Sequence, residues 1–82
     1  SAADAQPYAA TPRLQEALVL ERLGKFDEAA AAAREATEKE STNWRTWLIL
    51  SRIEAERGRA RASLAAYRSA RQLNPRSGVL AP

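Results

Sequence analysis

Residues 46–75, TWLILSRIEAERGRARASLAAYRSARQLNP, contain two helical patterns separated by a single glycine. Within each pattern apolar residues recur every three or four positions, which is the spacing of an α-helix with one buried face. Gly58 interrupts the first pattern, and Pro75 ends the second because proline cannot continue the helical hydrogen-bond ladder. The stretch therefore predicts two helices, over 44–57 and about 61–73, joined by a tight turn.

The chain repeats itself at a fixed offset, which is the distance from Gly24 to Gly58. Both glycines fit turns that need backbone angles unfavourable for other residues. The same offset relates four further sets of positions: Ala2 with Ala36 and Ala70, Pro7 with Ser41 and Pro75, Leu14 with Leu48, and Leu23 with Arg57. A period of about 34 residues is typical of helical repeat proteins.

Two more helices are expected in the first half of the chain, over 14–23 and 27–39. Asp27 is predicted to cap the second of them, and Thr42 or Asn43 to cap the helix that follows. No stretch alternates apolar and polar residues with the period of two that marks a half-buried strand. The sequence therefore predicts an all-α fold built from paired helices.

The period and the order of large and small residues resemble the tetratricopeptide repeat family, whose unit is a helix–turn–helix of about 34 residues. In the second copy six residues carry the resemblance: Trp47, Leu50, Gly58, Tyr67, Ala70 and Pro75. The first copy departs from it, with Arg13 and Glu16 at the places of Trp47 and Leu50. The resemblance implies an α-solenoid of antiparallel helix hairpins. Its register gives the end of a preceding repeat's second helix with a linker (1–9), a first unit (10–43), a second unit (44–77) and the start of a truncated following helix (78–82).

Five consecutive alanines occupy residues 29–33, inside the second expected helix. In a stack of hairpins this helix lies between two neighbours, so its inner positions must be small for helix axes to approach within about 8–10 Å. We assign these inner positions to Ala29, Ala33 and Ala36. The large side chains expected to face them are Leu20, Leu23, Phe26 and Trp47. The remaining alanines, 30–32, are explained by the high helix propensity of alanine without any contact.

The composition restricts the chemistry available to the chain. The 82 residues include no cysteine and no histidine, which excludes disulfides and histidine-based catalysis and leaves no typical zinc ligands. Glu54 and Glu56 are two positions apart and so point to different helix faces, and the serines have no base to activate them. We therefore predict no catalytic, cofactor or metal site. No apolar run approaches the roughly 20 residues of a membrane span, so we expect a soluble segment without membrane insertion.

The two halves of the chain have opposite net charge. Residues 1–43 carry five basic and eight acidic side chains, a net charge of −3, whereas residues 44–82 carry eight arginines and two glutamates, a net charge of +6. Free use of arginine and alanine in a coding sequence rich in G and C explains this pattern without a function. The alternative is a basic surface for an anionic polymer or nucleic acid, which we weigh below protein binding.

Tetratricopeptide repeats bind peptides or protein segments in a concave groove lined by the first helix of each unit, and the resemblance implies that role here. The expected face comprises Thr11, Leu14, Leu18, Glu21 and Arg22 from the first unit and Arg45, Leu48, Arg52, Ala55 and Glu56 from the second. Within it, the predicted partner-binding residues are Leu14, Leu18, Glu21, Arg22, Arg45, Leu48 and Arg52. Leu14 and Leu18 occupy the positions at which the family's chaperone-binding members hold the terminal carboxylate of a peptide. This difference argues against a peptide carboxylate as the ligand here.

Two interpretations of this face remain open. Leu14 and Leu18, followed by Arg45 and Arg52, suit an apolar segment that carries an acidic residue. The leucines equally suit simple packing between helices. Apolar residues near the two ends of a two-unit stack, among them Leu64, also predict self-association at high concentration.

A second resemblance concerns the three stretches PYAATPRLQEALVLERLG (7–24), NWRTWLILSRIEAERG (43–58) and ARQLNPRS (70–77). They are similar to the repeat tails of some bacterial polysaccharide polymerases and ligases of the O-antigen ligase type. This resemblance implies an accessory tail attached to an inner-membrane enzyme whose chemistry lies elsewhere.

Overall fold

The computed structural model describes residues 12–74, and over that range the chain forms four α-helices and no strand. The helices are α1 (Pro12–Arg22), α2 (Phe26–Lys39), α3 (Trp44–Glu56) and α4 (Ala60–Leu73). The predicted all-α fold is confirmed. The helix α1 begins two residues before the predicted start because proline, with its fixed φ and no N–H, is well suited to a first helical position. The expected segments 1–9 and 78–82 lie outside the described residues.

The turns after α1 and α3 have the same geometry. Gly24 and Gly58 both have φ of 78°, which confirms that these positions need glycine. In the first turn the Gly24 N–H donates to the Glu21 carbonyl at 3.0 Å and the Lys25 N–H to the Leu20 carbonyl at 2.9 Å. The second turn repeats both bonds at the equivalent positions, with the same lengths. This pair of hydrogen bonds is the Schellman motif, which satisfies the last carbonyl groups of a helix.

The helix starts differ from the prediction in one case. Asn43 caps α3 as expected, because its side-chain oxygen accepts the Arg45 N–H at 3.1 Å. Asp27 does not cap α2: Lys25 holds the cap position and makes no side-chain cap bond. Asp27 instead lies in the first turn of α2, where its charge is favourable at the positive end of the helix dipole.

Each helix packs against the next, α1 on α2, α2 on α3 and α3 on α4. One cluster of buried side chains joins all four helices: Ala17 of α1, Ala29, Ala30, Ala32 and Ala33 of α2, Leu50 and Ile53 of α3, and Ala66 of α4. The helix α2 supplies small residues on its whole inner side because it has a neighbour on two sides. This arrangement brings the α1–α2 hairpin and the α3–α4 hairpin together along α2 and α3.

Two sequence-based assignments in this core are wrong. Ala30 and Ala32 are buried, so helix propensity alone does not explain them, and only Ala31 of the middle three is exposed. The buried arc of α2 is wider than expected because α1 and α3 cover adjacent sides of it. Leu23 is 65% exposed and does not face the alanines, because it lies in the turn beyond the end of α1.

Candidate functional site

The face expected to bind a partner is formed by α1 and α3. Leu18 and Leu48 are half-buried, and Arg22 is exposed beside Leu18, one helical turn further along α1. Leu14 has no exposed surface, so it supports the face from beneath and offers nothing for a partner to touch. Thr11 lies outside the described residues. Ala55 and Glu56 are exposed near the end of α3.

Arg52 and Glu21 join the two helices across this face. The Arg52 guanidinium donates from Nε to Glu21 Oε2 at 2.8 Å and from Nη2 to Glu21 Oε1 at 2.5 Å. Such a two-point contact between arginine and a carboxylate fixes both side chains in one geometry. The Glu21 side chain is only 11% exposed, whereas that of Arg52 is 54% exposed. Arg52 therefore serves first as the partner of Glu21 and presents its remaining edge to solvent.

Glu56 lies beside the Arg52–Glu21 ion pair and adds a second carboxyl group next to that of Glu21. Burial alone would raise the pKa of Glu21, but hydrogen bonds with Arg52 and Glu56 and the charge of Arg52 outweigh it, so the pKa of Glu21 lies below its usual range. The hydrogen bond with Glu21 raises the pKa of Glu56, and burial and the negative charge of Glu21 act in the same direction. Two neighbouring carboxyl groups titrate in this way when only one of them is paired with a guanidinium, because the charge of the other is less well compensated.

The other two arginines of the face have different surroundings. The Arg45 guanidinium lies over the indole of Trp44, 4.6 Å from the ring centroid, in a cation–π contact. Arg22 makes no ion pair with any residue of 12–74. The face thus combines half-buried leucines with one arginine that has no carboxylate partner in the described range and two that are held in place by neighbours.

A buried carboxylate lies on the opposite side of α3. The Glu54 side chain is 1% exposed and accepts hydrogen bonds from Arg34 of α2 at 2.6 Å and from Arg57 at 2.8 Å. Arg57 also donates to Asp27 at 2.9 Å. Since a buried charge is tolerated only when it is paired, these contacts fix the position of α3 on α2. Sequence reasoning missed them because it treated Glu54 only as a candidate acid.

Two open depressions adjoin the α1 and α3 face near the end of α3, the first lined in part by Ala55 and the second by Glu56. One, of about 550 Å³, lies between α3 and α4 and is lined by Ser51, Ala55, Ser63, Leu64 and Tyr67, with Gly58 and Ala60 at the turn. The other, of about 400 Å³, lies at the turn before α2 and contains the Asp27–Arg57 ion pair. The sequence contains a signal for the larger depression, because four of its lining residues are separated from buried alanines by the offset that relates the two glycines.

Within residues 12–74 no group of three or more acidic side chains is placed to hold a metal ion. No helix in the same range combines the length and the apolar character that crossing a membrane requires. Trp47 packs against the core cluster, and its indole N–H donates to the Ser41 carbonyl at 2.8 Å. This placement assigns Trp47 to packing at the start of α3.

The chain matches no family model, no curated protein and no solved structure at a significant level.

Proposed function

We propose that the chain is a helical repeat scaffold of the tetratricopeptide type, an α-solenoid whose units are the α1–α2 and α3–α4 hairpins. The support is the repetition of local geometry at the offset that the sequence predicts. The two turns share their hydrogen bonds and glycine angles, and the same offset separates the helix ends at Arg22 and Glu56, and those at Lys39 and Leu73. Units with identical turns and a shared core stack in register.

We further propose that the face of α1 and α3 binds an apolar protein segment that carries an acidic residue. The observation that supports this is the combination on one face of half-buried Leu18 and Leu48 with Arg22, which has no carboxylate partner within residues 12–74. A ligand that covers the remaining exposed surface of these leucines gains a binding free energy of about 25 cal/mol for each Å² of apolar surface buried. An arginine in such surroundings gains a charge-assisted bond when a carboxylate arrives.

Protein binding accounts for the arginines at the contact between the hairpins better than polyanion binding does. Three cations at or near the contact between the hairpins, Arg34, Arg52 and Arg57, are already paired with carboxylates of the same chain. A polyanion would have to displace those carboxylates. A peptide with a single acidic residue needs only Arg22.

The test is selection of short random peptides on the immobilised chain, followed by affinity measurements on the enriched peptides. We expect sequences that combine two or more large apolar residues with an aspartate or glutamate. Arg22→Glu and Leu48→Glu should each weaken binding about tenfold or more, which corresponds to about 1.4 kcal/mol. Ala31→Glu is the matched control for Leu48→Glu, because it adds the same single charge at an exposed site on α2. It controls for the added glutamate in Arg22→Glu, which changes the charge by two.

The proposal fails if no peptide is enriched, or if Arg22→Glu and Ala31→Glu bind the peptides equally well. Single-stranded DNA is the comparison probe. Binding of the DNA that exceeds peptide binding, and falls steeply between about 50 and 200 mM salt, would favour the anionic-polymer alternative.

A further inference from the structure

The groove between α3 and α4 has a counterpart inside the same chain. Its lining residues Ser51, Ser63, Leu64 and Tyr67 are the repeat equivalents of Ala17, Ala29, Ala30 and Ala33. All four of these alanines are fully buried in the cluster that also contains Leu50 and Ile53 of α3. The first hairpin therefore has a small-residue surface that a following helix covers.

No helix of residues 12–74 covers the equivalent surface of the second hairpin. Leu64 is 49% exposed, although its counterpart Ala30 is fully buried. Ser51 and Ser63 join α3 to α4 by a hydrogen bond of 2.8 Å from the Ser51 hydroxyl to the Ser63 carbonyl, a contact between small residues like that of the alanines in the first hairpin. The groove lies where a helix equivalent to α3 would pack, and no helix of the described range fills it.

The helix α1 carries a surface of the corresponding kind. Val19 occupies the position of Ile53, which is fully buried against the first hairpin, yet Val19 is 57% exposed. Leu23, one turn further on, is 65% exposed. Isolated exposed apolar residues need no explanation. Val19 in α1 and Leu23 in the turn just after it are exposed at positions equivalent to an internal interface, and together they indicate an unpartnered contact surface.

Charge favours contact between unlike ends. The helix α4 contains Arg61, Arg68 and Arg71 and no acidic residue. The α1–α2 hairpin has acidic residues in excess, including the Asp27 and Glu28 pair in the first turn of α2. Because the halves carry −3 and +6, an α4 surface attracts the first hairpin of another molecule and repels the second.

We propose that α1 of a second copy of this chain docks in the groove between α3 and α4, with Val19 entering where Ile53 enters in the internal interface. The contact joins different surfaces of the two copies, so each dimer still has one free groove and one free α1. Self-association is therefore head to tail and open-ended. The groove shares Ala55 with the α1 and α3 face, but Val19 and Leu64 are not among the residues on which the peptide proposal rests, so neither proposal depends on the other.

The test is sedimentation velocity over a concentration series of the 82-residue chain. A single helix in a groove buries less surface than the roughly 1,200 Å² of stable complexes, so association should appear only at high concentration. We expect the average mass to rise past that of a dimer as concentration increases. Val19→Glu and Leu64→Glu should each remain monomeric, with Leu23→Glu as a second variant of the α1 surface. Ala31→Glu, which adds the same charge elsewhere, should associate like the unchanged chain.

Mixing the two blocked variants separates this geometry from others. Val19→Glu retains its groove and Leu64→Glu retains its α1 surface, so an equimolar mixture should form one-to-one dimers that grow no further. Circular dichroism of each variant confirms that it is folded. A chain that stays monomeric up to about millimolar concentration, a symmetric dimer that stops growing, or a mixture that does not dimerise would each overturn the proposal.

Discussion

Glu54 occupies the position at which the first hairpin has Leu20, so the two hairpins use different chemistry at equivalent places. Leu20 packs against the core cluster through its apolar surface. Glu54 is as buried as a core residue but depends on Arg34 and Arg57 for compensation of its charge. Because an unpaired buried carboxylate is so costly, the geometry at Glu54 is more restrictive than packing alone would be. Glu54, which stands in the second hairpin where the first has a leucine, fixes α3 against α2 in a single register.

Glu56 provides a test through pH. Its raised pKa means that the folded state favours the protonated form, so its contribution to stability is present below the usual value of 4.5 and is lost as pH rises through the raised value. Glu21 acts oppositely, since its lowered pKa stabilises the fold above 4.5 and this stabilisation is lost as pH falls. Glu56→Gln should therefore raise the melting temperature near neutral pH and leave it unchanged near pH 3.

The gain at neutral pH should be small, about half a kcal/mol or less, because Glu56 is exposed and solvent screens its charge. Melting curves of both proteins at the two pH values measure it. An equal difference at both pH values would show that the effect of the substitution is not electrostatic.

The turns after α1 and α3 are elements defined by the left-handed glycine. A Cβ added at Gly24 or Gly58 would meet no atom within 4 Å beyond the glycine and the two residues next to it in the chain, so packing does not require glycine there. The φ of 78° does, because a Cβ in the left-handed region clashes with its own backbone. The requirement is therefore local to the turn, and it is the same in both hairpins.

The loss of stability on substitution of Gly58 should depend on the cost of left-handed backbone angles and not on the size of the new side chain. Asparagine tolerates left-handed angles, whereas valine is β-branched and does so poorly. We expect Gly58→Val to lower the free energy of unfolding by about 1–2 kcal/mol more than Gly58→Asn. Urea denaturation of the two variants measures the difference, and equal losses would contradict it.

Over the whole molecule, charge is compensated across the contact between hairpins. The acidic Glu21 and Asp27 of the first hairpin pair with Arg52 and Arg57 of the second, and Arg34 pairs in the reverse direction with Glu54. The opposite net charges of the two halves are thus partly neutralised inside the chain. The remaining excess of arginine lies on α4, where it contributes to the proposed association.

Two arginines that each contact two carboxylates allow this network to be tested. Arg57 contacts Glu54 and Asp27 and is 14% exposed, whereas Arg13 contacts Glu16 and Glu35, which are about half exposed. Arg57→Leu leaves Glu54 buried with one partner and should cost about 1–3 kcal/mol. Arg13→Leu should cost less than about 1 kcal/mol, because its carboxylates remain solvated. Chemical denaturation compares the two, and equal losses would show that burial of the carboxylate does not decide the cost.

The sequence alone determined the features that depend on local physics. Helical spacing, the two glycines and Asn43 predicted four helices, the position of each turn and one cap, because each depends on residues within a few positions. The repeat offset predicted that the hairpins would be alike. The periodicity also assigned Ala29, Ala33 and Ala36 correctly to the buried side of α2.

Only the tertiary structure decided which side chains meet across the hairpins. Helical spacing does not reveal that Arg52 reaches Glu21 on a different hairpin, or that Glu54 is buried between two arginines. Leu14, expected on the exposed face, and Ala30, expected to need no contact, are both fully buried, since burial depends on which neighbour covers a helix. Local interactions are encoded in adjacent residues, whereas burial and ion pairing arise only when distant segments pack together.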